Sequence, residues 1–357
     1  MGVRLRVVLD QLVHVADADQ AAASADLTVG LVATAPSGCG VDAIVPSGAP
    51  VAVPGVGEVR RLGLARRELA ASWQLGIAPG VGGGLIHSPT LMAPLVRHDK
   101  VHDHDQTTVT LWDLTAWEAP QAMSKAAVGW HRGMLRRAVK HADAVVVPSH
   151  AFADRLKDFA KLGERVRVIS GAPPSGFAVP LDAAARRAAL SLPEKYIVLV
   201  GTPDTLAEGF RGVAAAGTDA VVLDAPEGSE PRVAEIASAA GLAEHRAHVR
   251  GSLSPDDRAA VLAGASAFVS TSPFAAWPWR ALEAMALGVP LVAVDSGVHR
   301  DIIAEGGMLV APGDLPEAIA HAVGDGAKRL RVLGPDRAKA FSWAGAAERV
   351  WALHAEL

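Results

Sequence analysis

The 357-residue chain has one cysteine, Cys39. A lone thiol cannot build a disulfide framework, and it excludes cysteine-cluster zinc and iron–sulfur sites. A reducing, cytoplasmic compartment fits that usage. Neither sign of charge dominates: 34 Lys and Arg stand against 38 Asp and Glu, for a net charge of −4. A nucleic-acid binder is usually basic overall or in one domain, so no nucleic-acid partner is expected. The longest run without Asp, Glu, Lys, Arg or His, Ala259 to Trp279, is interrupted by Ser, Thr, Pro and Gly. It reads as helix, strand and loop instead of a membrane span. The opening "MGVRLRVVLDQL" reaches a charge at Asp10 and has no small-residue cleavage site. It reads as a first buried strand, not a signal peptide. Glycine is missing between Gly2 and Gly30, an absence that matters below.

What the chain does have is length for two domains of ordinary size. Half of its residues are hydrophobic, enough for a large core. The recurring unit is a short β-branched run, a turn and an alanine-rich helical pattern. The strand candidates are "LRVVLD", "GLVAT", "DAIVP", "GLIHSP", "TTVTLWD", "DAVVVPS" and "VRVIS". After the Pro- and Gly-rich "APPSGFAVP" the series restarts with "YIVLVGT", "AVVLDAP", "HVRGSL", "AFVSTS", "PLVAVDS" and "MLVAPGD". Fully apolar runs alternating with helices imply parallel strands buried on both faces, in doubly wound α/β layers. The expected fold class is therefore α/β, with two Rossmann-like domains facing across a cleft. Ligands in such sheets bind outside the carboxyl ends of the strands.

Three stretches of the second half carry a resemblance. They are "VRGSLSPDDRAAVLAGASAFVSTS", "ALEAMALGVPLVAVDSGVHRDIIAEGGMLVAPGD" and the closing "FSWAGAAERVWALHAEL". The first half adds "LIHSPTLMAPL", "LWDLTAWEAP" and "HADAVVVPSHAFADRL". Together they resemble the retaining glycosyltransferase family 4, in a branch that acts in cell-envelope assembly. The resemblance implies the GT-B architecture. It places an acceptor-side domain over about 1–175, a nucleotide-sugar domain over about 190–340, and a helix over 341–357 that packs back on the first domain. It implies transfer of a sugar from a nucleoside diphosphate sugar to a glycan or lipid-linked acceptor. No cofactor or metal is implied, and the location is cytoplasmic, with peripheral contact at the inner face of the plasma membrane.

Such a donor carries two phosphates whose charge grows as the glycosidic bond breaks, so cations and backbone N–H groups must face them. The resemblance puts a ribose-binding carboxylate at Glu283. A sugar-binding glutamate would stand eight positions earlier, where this chain has Ala275. The intervening glycine loop reads "AAWPWR", and Pro278 has no N–H to give. Gly201 and Thr202 match the turn after the first strand of the donor domain. The two cation positions that follow fall on Ala207 and Glu208, leaving Arg211 or Arg280 as substitutes. Arg250, Gly251 and Ser252 fall where the base contacts backbone. The glycine loop of the first domain falls on Asp17, Ala18, Asp19 and Gln20, two of them anionic. A histidine that contacts the donor falls on Trp112, followed by a retained Asp113. His87 ends another strand, as an acceptor contact or a structural polar residue at the cleft edge.

"RHDKVHDHDQ" offers His98, His102, His104, Asp99, Asp103 and Asp105, residue types that could suit a metal. Its place between a helix and a strand makes it a solvated loop instead. Arg60, Arg61, Arg66 and Arg67 form one basic group, and Arg132, Arg136, Arg137 and Lys140 another. Either could meet an anionic membrane or simply be solvated. Three functions remain open: a glycosyltransferase with a rearranged site, a silent partner or stabiliser of an active glycosyltransferase, and an acceptor- or lipid-binding scaffold.

Overall fold

The computed structural model describes residues 2–99 and 104–357. The chain forms two compact units. The first comprises Met1–Pro174, Ala275–Trp277 and Phe341–Leu357; the second comprises Ser175–Phe274 and Pro278–Ala340.

The first unit is built on seven strands: β1 (Val3–Val8), β2 (Cys39–Ser47), β3 (Val59–Ala65), β4 (Leu85–Ser88), β5 (Gln106–Thr110), β6 (Ala144–Val147) and β7 (Val166–Val168). All pair in parallel, in the order β3-β2-β1-β4-β5-β6-β7. The order reverses between β1 and β4. The two connections leaving that point run to opposite sides, which opens a crevice at the strand ends.

One expected strand is a helix. "GLVAT" continues the helix Ala18–Ala33, and the strand that fills its place in the order is β3. The run is apolar because the helix lies under the C-terminal helix Trp343–Glu356, with Leu27 and Leu31 buried. Gly30 makes that approach close: a Cβ there would stand 2.7 Å from the Trp343 carbonyl oxygen. Trp351 Nε1 donates to the Leu31 carbonyl at 3.0 Å. Gly30→Ala is therefore expected to lower stability by about 1–2 kcal/mol in urea unfolding, because a backbone clash outweighs the gain in helix propensity. A more stable variant would contradict the close packing.

The second unit holds β8 (Tyr196–Val200), β9 (Asp219–Val222), β10 (Ala247–Val249), β11 (Phe268–Ser270), β12 (Leu291–Val294) and β13 (Met308–Val310). They too are parallel, in the order β10-β9-β8-β11-β12-β13. The switch point here lies between β8 and β11. Leu199, Phe210, Val269, Val292 and Ile319 are fully buried in its core. The helix Trp279–Ala286 begins directly after Pro278, a residue suited to a first turn because its missing N–H would have no partner there. It stops at Gly288, whose φ of 68° favours glycine.

Candidate functional site

Glu283 lies on the helix Trp279–Ala286 and is 0% exposed. The carboxylate at the expected ribose position is thus shielded from solvent. Arg258, from the helix Pro255–Gly264, approaches its carboxylate in a fork: Nε donates to Oε2 at 2.8 Å and Nη2 to Oε1 at 2.6 Å. Arg280, one turn before Glu283, adds Nη1 to Oε1 at 2.9 Å. Arg280 Nε in turn donates to Asp224, just past β9, at 2.7 Å. Both arginines are buried. Alternating charges thus run Asp224, Arg280, Glu283, Arg258, and each carboxylate is answered by a guanidinium. Such a closed network holds helix to helix; its members already spend their charge on one another.

The other expected donor residues fall around β8 and β10. Gly201 follows β8 under Thr271, whose hydroxyl would lie 2.0 Å from a Cβ there, so only glycine fits. Thr202 opens a short turn and accepts the Thr205 hydroxyl on its carbonyl at 3.0 Å. Ala207 and Glu208 start the helix Ala207–Ala215. Arg211 is ion-paired with Glu208 one turn away, so it serves a surface pair and not an open cation position. Arg250 is tied back to the Val249 carbonyl at 2.8 Å, while Gly251 and Ser252 are exposed.

Ala275 proves to be part of the first unit. Ala276 bridges Asp113 in antiparallel fashion. Leu114 N donates to Ala275 O at 3.0 Å, and Trp277 N donates to Trp112 O at 2.9 Å. Ala275 N donates to Glu118 Oε2 at 2.9 Å. The Trp277 ring lies 6.1 Å from that of Trp112 and 5.8 Å from that of Phe341. "AAW" is thus an added strand fragment in which the Ala275 and Trp277 N–H groups and the Trp277 ring are engaged in its own unit. Trp112, at the position of the donor-contacting histidine, gives its Nε1–H to the Pro89 carbonyl at 2.8 Å.

The first unit has a cavity of about 700 Å³ at its switch point. Gln11 follows β1, Thr90 follows β4 and Asp113 follows β5; Asp17, Arg66 and Trp130 complete the part that matters chemically. Asp17 caps the helix Ala18–Ala33 by accepting the Gln20 N–H at 2.9 Å. Although Asp17 is solvent-exposed, crowding by the cavity walls pushes its carboxyl up, and the charges of Asp19 and Asp113 add to that. Asp19 lies in the first turn of that helix, favourably placed for the helix dipole. Asp113 accepts the Thr115 N–H at 2.9 Å.

One sequence expectation is corrected here. His87 is not at an edge: it is 0% exposed beneath the sheet's strand end, its ring 5.8 Å from that of His354. Several residues of the two basic groups are held by oxygens of the chain, while Arg60, Arg67 and Arg136 are exposed. Arg61 reaches the Gly48 carbonyl, Arg66 an internal aspartate, Arg132 the Ala116 carbonyl and Arg137 the Leu95 carbonyl. In the possible metal loop, His102 and Asp103 lie outside the described residues; His98 pairs with Asp143 at 2.9 Å.

Residues 200–327 match the family model described as glycosyl transferases group 1. A curated relative, the MMP alpha-(1->4)-mannosyltransferase of Mycolicibacterium hassiacum, is 24% identical over 287 residues, 77% of this chain and 68% of the relative. The solved sucrose-phosphate synthase of Thermosynechococcus elongatus superposes with a TM-score of 0.71 at 22% identity, covering 99% of this chain and 98% of its own. HepE of Anabaena, solved with UDP and glucose, gives 0.65 at 17% identity, covering 99% and 100%. Residues 200–327 are thus similar to the glycosyl transferases group 1 domain, and the chain has the GT-B fold of these solved glycosyltransferases.

Within this GT-B chain, sequence reasoning missed Arg258, Asp224, Asp10 and the cavity. Asp10 was readable in principle, as an acidic residue ending the first apolar run at a position where ligands bind in such sheets. Arg258 carries no local signal, because its partner lies 25 residues away on another helix. No helix among the described residues is long and apolar enough to cross a membrane.

Proposed function

We propose that this chain is a glycosyltransferase that has fallen silent toward nucleotide sugars, keeps a glycan-binding cavity in its first unit, and acts in cell-envelope assembly as partner or stabiliser of an active glycosyltransferase. The observation that carries the reading is Glu283. Its carboxylate is buried and already filled by Arg258 and Arg280. A ribose could reach it only if charged hydrogen bonds opened, each worth about 1.5–3 kcal/mol. Ala275 supplies no carboxylate, Pro278 no N–H, and Glu208 would repel a phosphate from the position where a cation is needed.

The glycan side rests on the cavity. Carboxylates, amides and indoles in one concave site are the groups that take sugar hydroxyls and sugar faces. The envelope setting is supported by WaaG, described as a glycosyltransferase involved in lipopolysaccharide biosynthesis, which superposes with a TM-score of 0.61 at 12% identity, covering 98% of each chain.

Calorimetric titration with UDP, GDP and ADP, and with their glucose and mannose conjugates, tests the silent reading. No heat of binding is expected up to millimolar nucleotide. Saturable binding of any of these nucleotides would overturn it and restore the enzymatic reading. For the partner role, the chain is expected to co-purify with a glycosyltransferase; an isolated monomer would count against that role.

A further inference from the structure

We infer that the first-unit cavity takes a sugar bearing an anionic substituent, a phosphate or a carboxylate, and that Arg66 receives that group. The inference rests on the glycan-binding reading above and narrows it.

Arg66 is the first residue of the helix Arg66–Gln74, directly after β3, and lines the cavity. Its Nε donates to Asp10 Oδ2 at 2.8 Å. Asp10 is completely buried at the end of β1, and its Oδ1 accepts the Thr90 hydroxyl at 3.2 Å. Three strand ends thus converge on one guanidinium. Yet Asp10 uses only the Nε–H. The four N–H bonds on the two Nη atoms meet no hydrogen-bond partner among the described residues, and the side chain is 19% exposed.

Other arginines of this unit are spent differently. Arg132 and Arg137 anchor loops through backbone carbonyls, and Arg155 pairs with Glu118 and Asp158. Arg66 alone of these combines a buried anchor with an open fork on a cavity wall. A planar fork fixed at Nε has the shape that matches two oxygens of a carboxylate or phosphate. Arg67, exposed and also lining the cavity, adds positive charge beside it.

The remaining polar groups say which part of the ligand is not anionic. Asp17 and Asp113 would repel a second negative charge, and as acceptors they suit hydroxyl donors. The indoles of Trp112 and Trp130 are part of the cavity wall and add apolar surface against which a sugar ring can pack. The ligand class that satisfies all of them is a hydroxyl-rich ring with one anionic group. Asp10 is then a positioning residue: it touches no ligand and sets the plane of the guanidinium that does.

The test is calorimetric titration of the full chain at low ionic strength. The probes are glucose 6-phosphate, mannose 6-phosphate and glucuronate, compared with glucose and mannose. Sedimentation with phosphatidylinositol vesicles separates a lipid-borne phosphate from a free one. The anionic sugars are expected to bind about tenfold or more tightly than the neutral ones. Arg66→Gln should reduce them to the neutral level. Should that variant unfold, Arg66→Lys carries the test, because it keeps a cation over Asp10 and lacks the fork. Vesicle binding that both Arg66 variants lose, with no affinity for the free sugars, would assign the anion to a lipid headgroup. Equal affinity for phosphorylated and neutral sugars would overturn the anionic class while leaving the glycan reading intact. Vesicle binding unchanged in both variants, without a preference for anionic sugars, would also overturn it. No binding in any arm would overturn both.

Discussion

Glu283→Ala is expected to destabilise the second unit by about 3–5 kcal/mol, the scale on which removing one partner from a buried ion pair acts. The carboxylate accepts from three guanidinium nitrogens at 2.6–2.9 Å. Without it, Arg258 and Arg280 would face each other as two buried cations in a medium that screens them poorly. Asp224 still answers Arg280, so the larger burden falls on Arg258. Arg258→Met alone should cost a similar amount by stranding the carboxylate. The pair Arg258→Met with Glu283→Leu is expected to lie within about 1 kcal/mol of the native protein or above it, since apolar replacement of a whole buried pair is often neutral or stabilising. With Glu283→Leu as the second single variant, urea unfolding of the native protein, the two singles and the pair closes the cycle. Additive losses would mean that the two side chains do not act as one unit. The same variants bear on function, because a structural ion network predicts that nucleotide titrations stay flat in every one of them.

The sequence made the fold legible because a strand buried on both faces must be apolar along its whole length. The expected runs other than "GLVAT" became strands. That run failed because a helix pressed between a sheet and a second helix is as apolar as a central strand, and Gly30 and Trp343 meet only in the fold. Strand β3 was overlooked for the opposite reason. It is a sheet edge, and Arg60 and Arg61 break its apolar pattern, as exposed edges commonly require. The site was less legible. Position 283 could be located from the family resemblance, yet whether its carboxylate was available depended on Arg258 in another helix. "AAWPWR" could be seen to lack the carboxylate at Ala275 and the N–H at Pro278. That its first three residues pair with Asp113 and Trp112 could not be seen, because backbone pairing leaves no residue signature. Arg66 and Asp10 are 56 positions apart, and only the parallel order of β1, β2 and β3 brings them together.

Acidification from pH 6.5 to about 4 is expected to remove roughly 3 kcal/mol of stability from the first unit through His354 alone. Burial pushes His354 down to about 4, and it pushes His87 well below its ordinary value. The donor count fixes both neutral forms. His354 Nδ1 lies 2.9 Å from Gln106 Oε1, an acceptor, so Nδ1 carries the proton and Nε2 is bare. The Thr108 hydroxyl, 3.3 Å from that Nε2, donates to it. Its oxygen is then free to accept from His87 Nδ1 at 2.7 Å. Adding a proton to His354 Nε2 would set two hydrogens against each other, and charging both rings would place two cations 5.8 Å apart. Because the folded pKa lies below the unfolded one, the unfolded chain binds protons first as pH drops. Stability is therefore complete above the unfolded pKa near 6.5 and is lost progressively toward the folded value. His354 sits in the last turn of the C-terminal helix, so that helix should be the first to open. Hydrogen exchange of residues 343–356 is the direct measurement: exchange should accelerate between pH 6.5 and 4 after correction for the intrinsic rate. His354→Gln should flatten this dependence, since an amide can keep a bond to Gln106 or Thr108 and cannot take a proton. An equal pH dependence in that variant would assign the acid sensitivity to other groups.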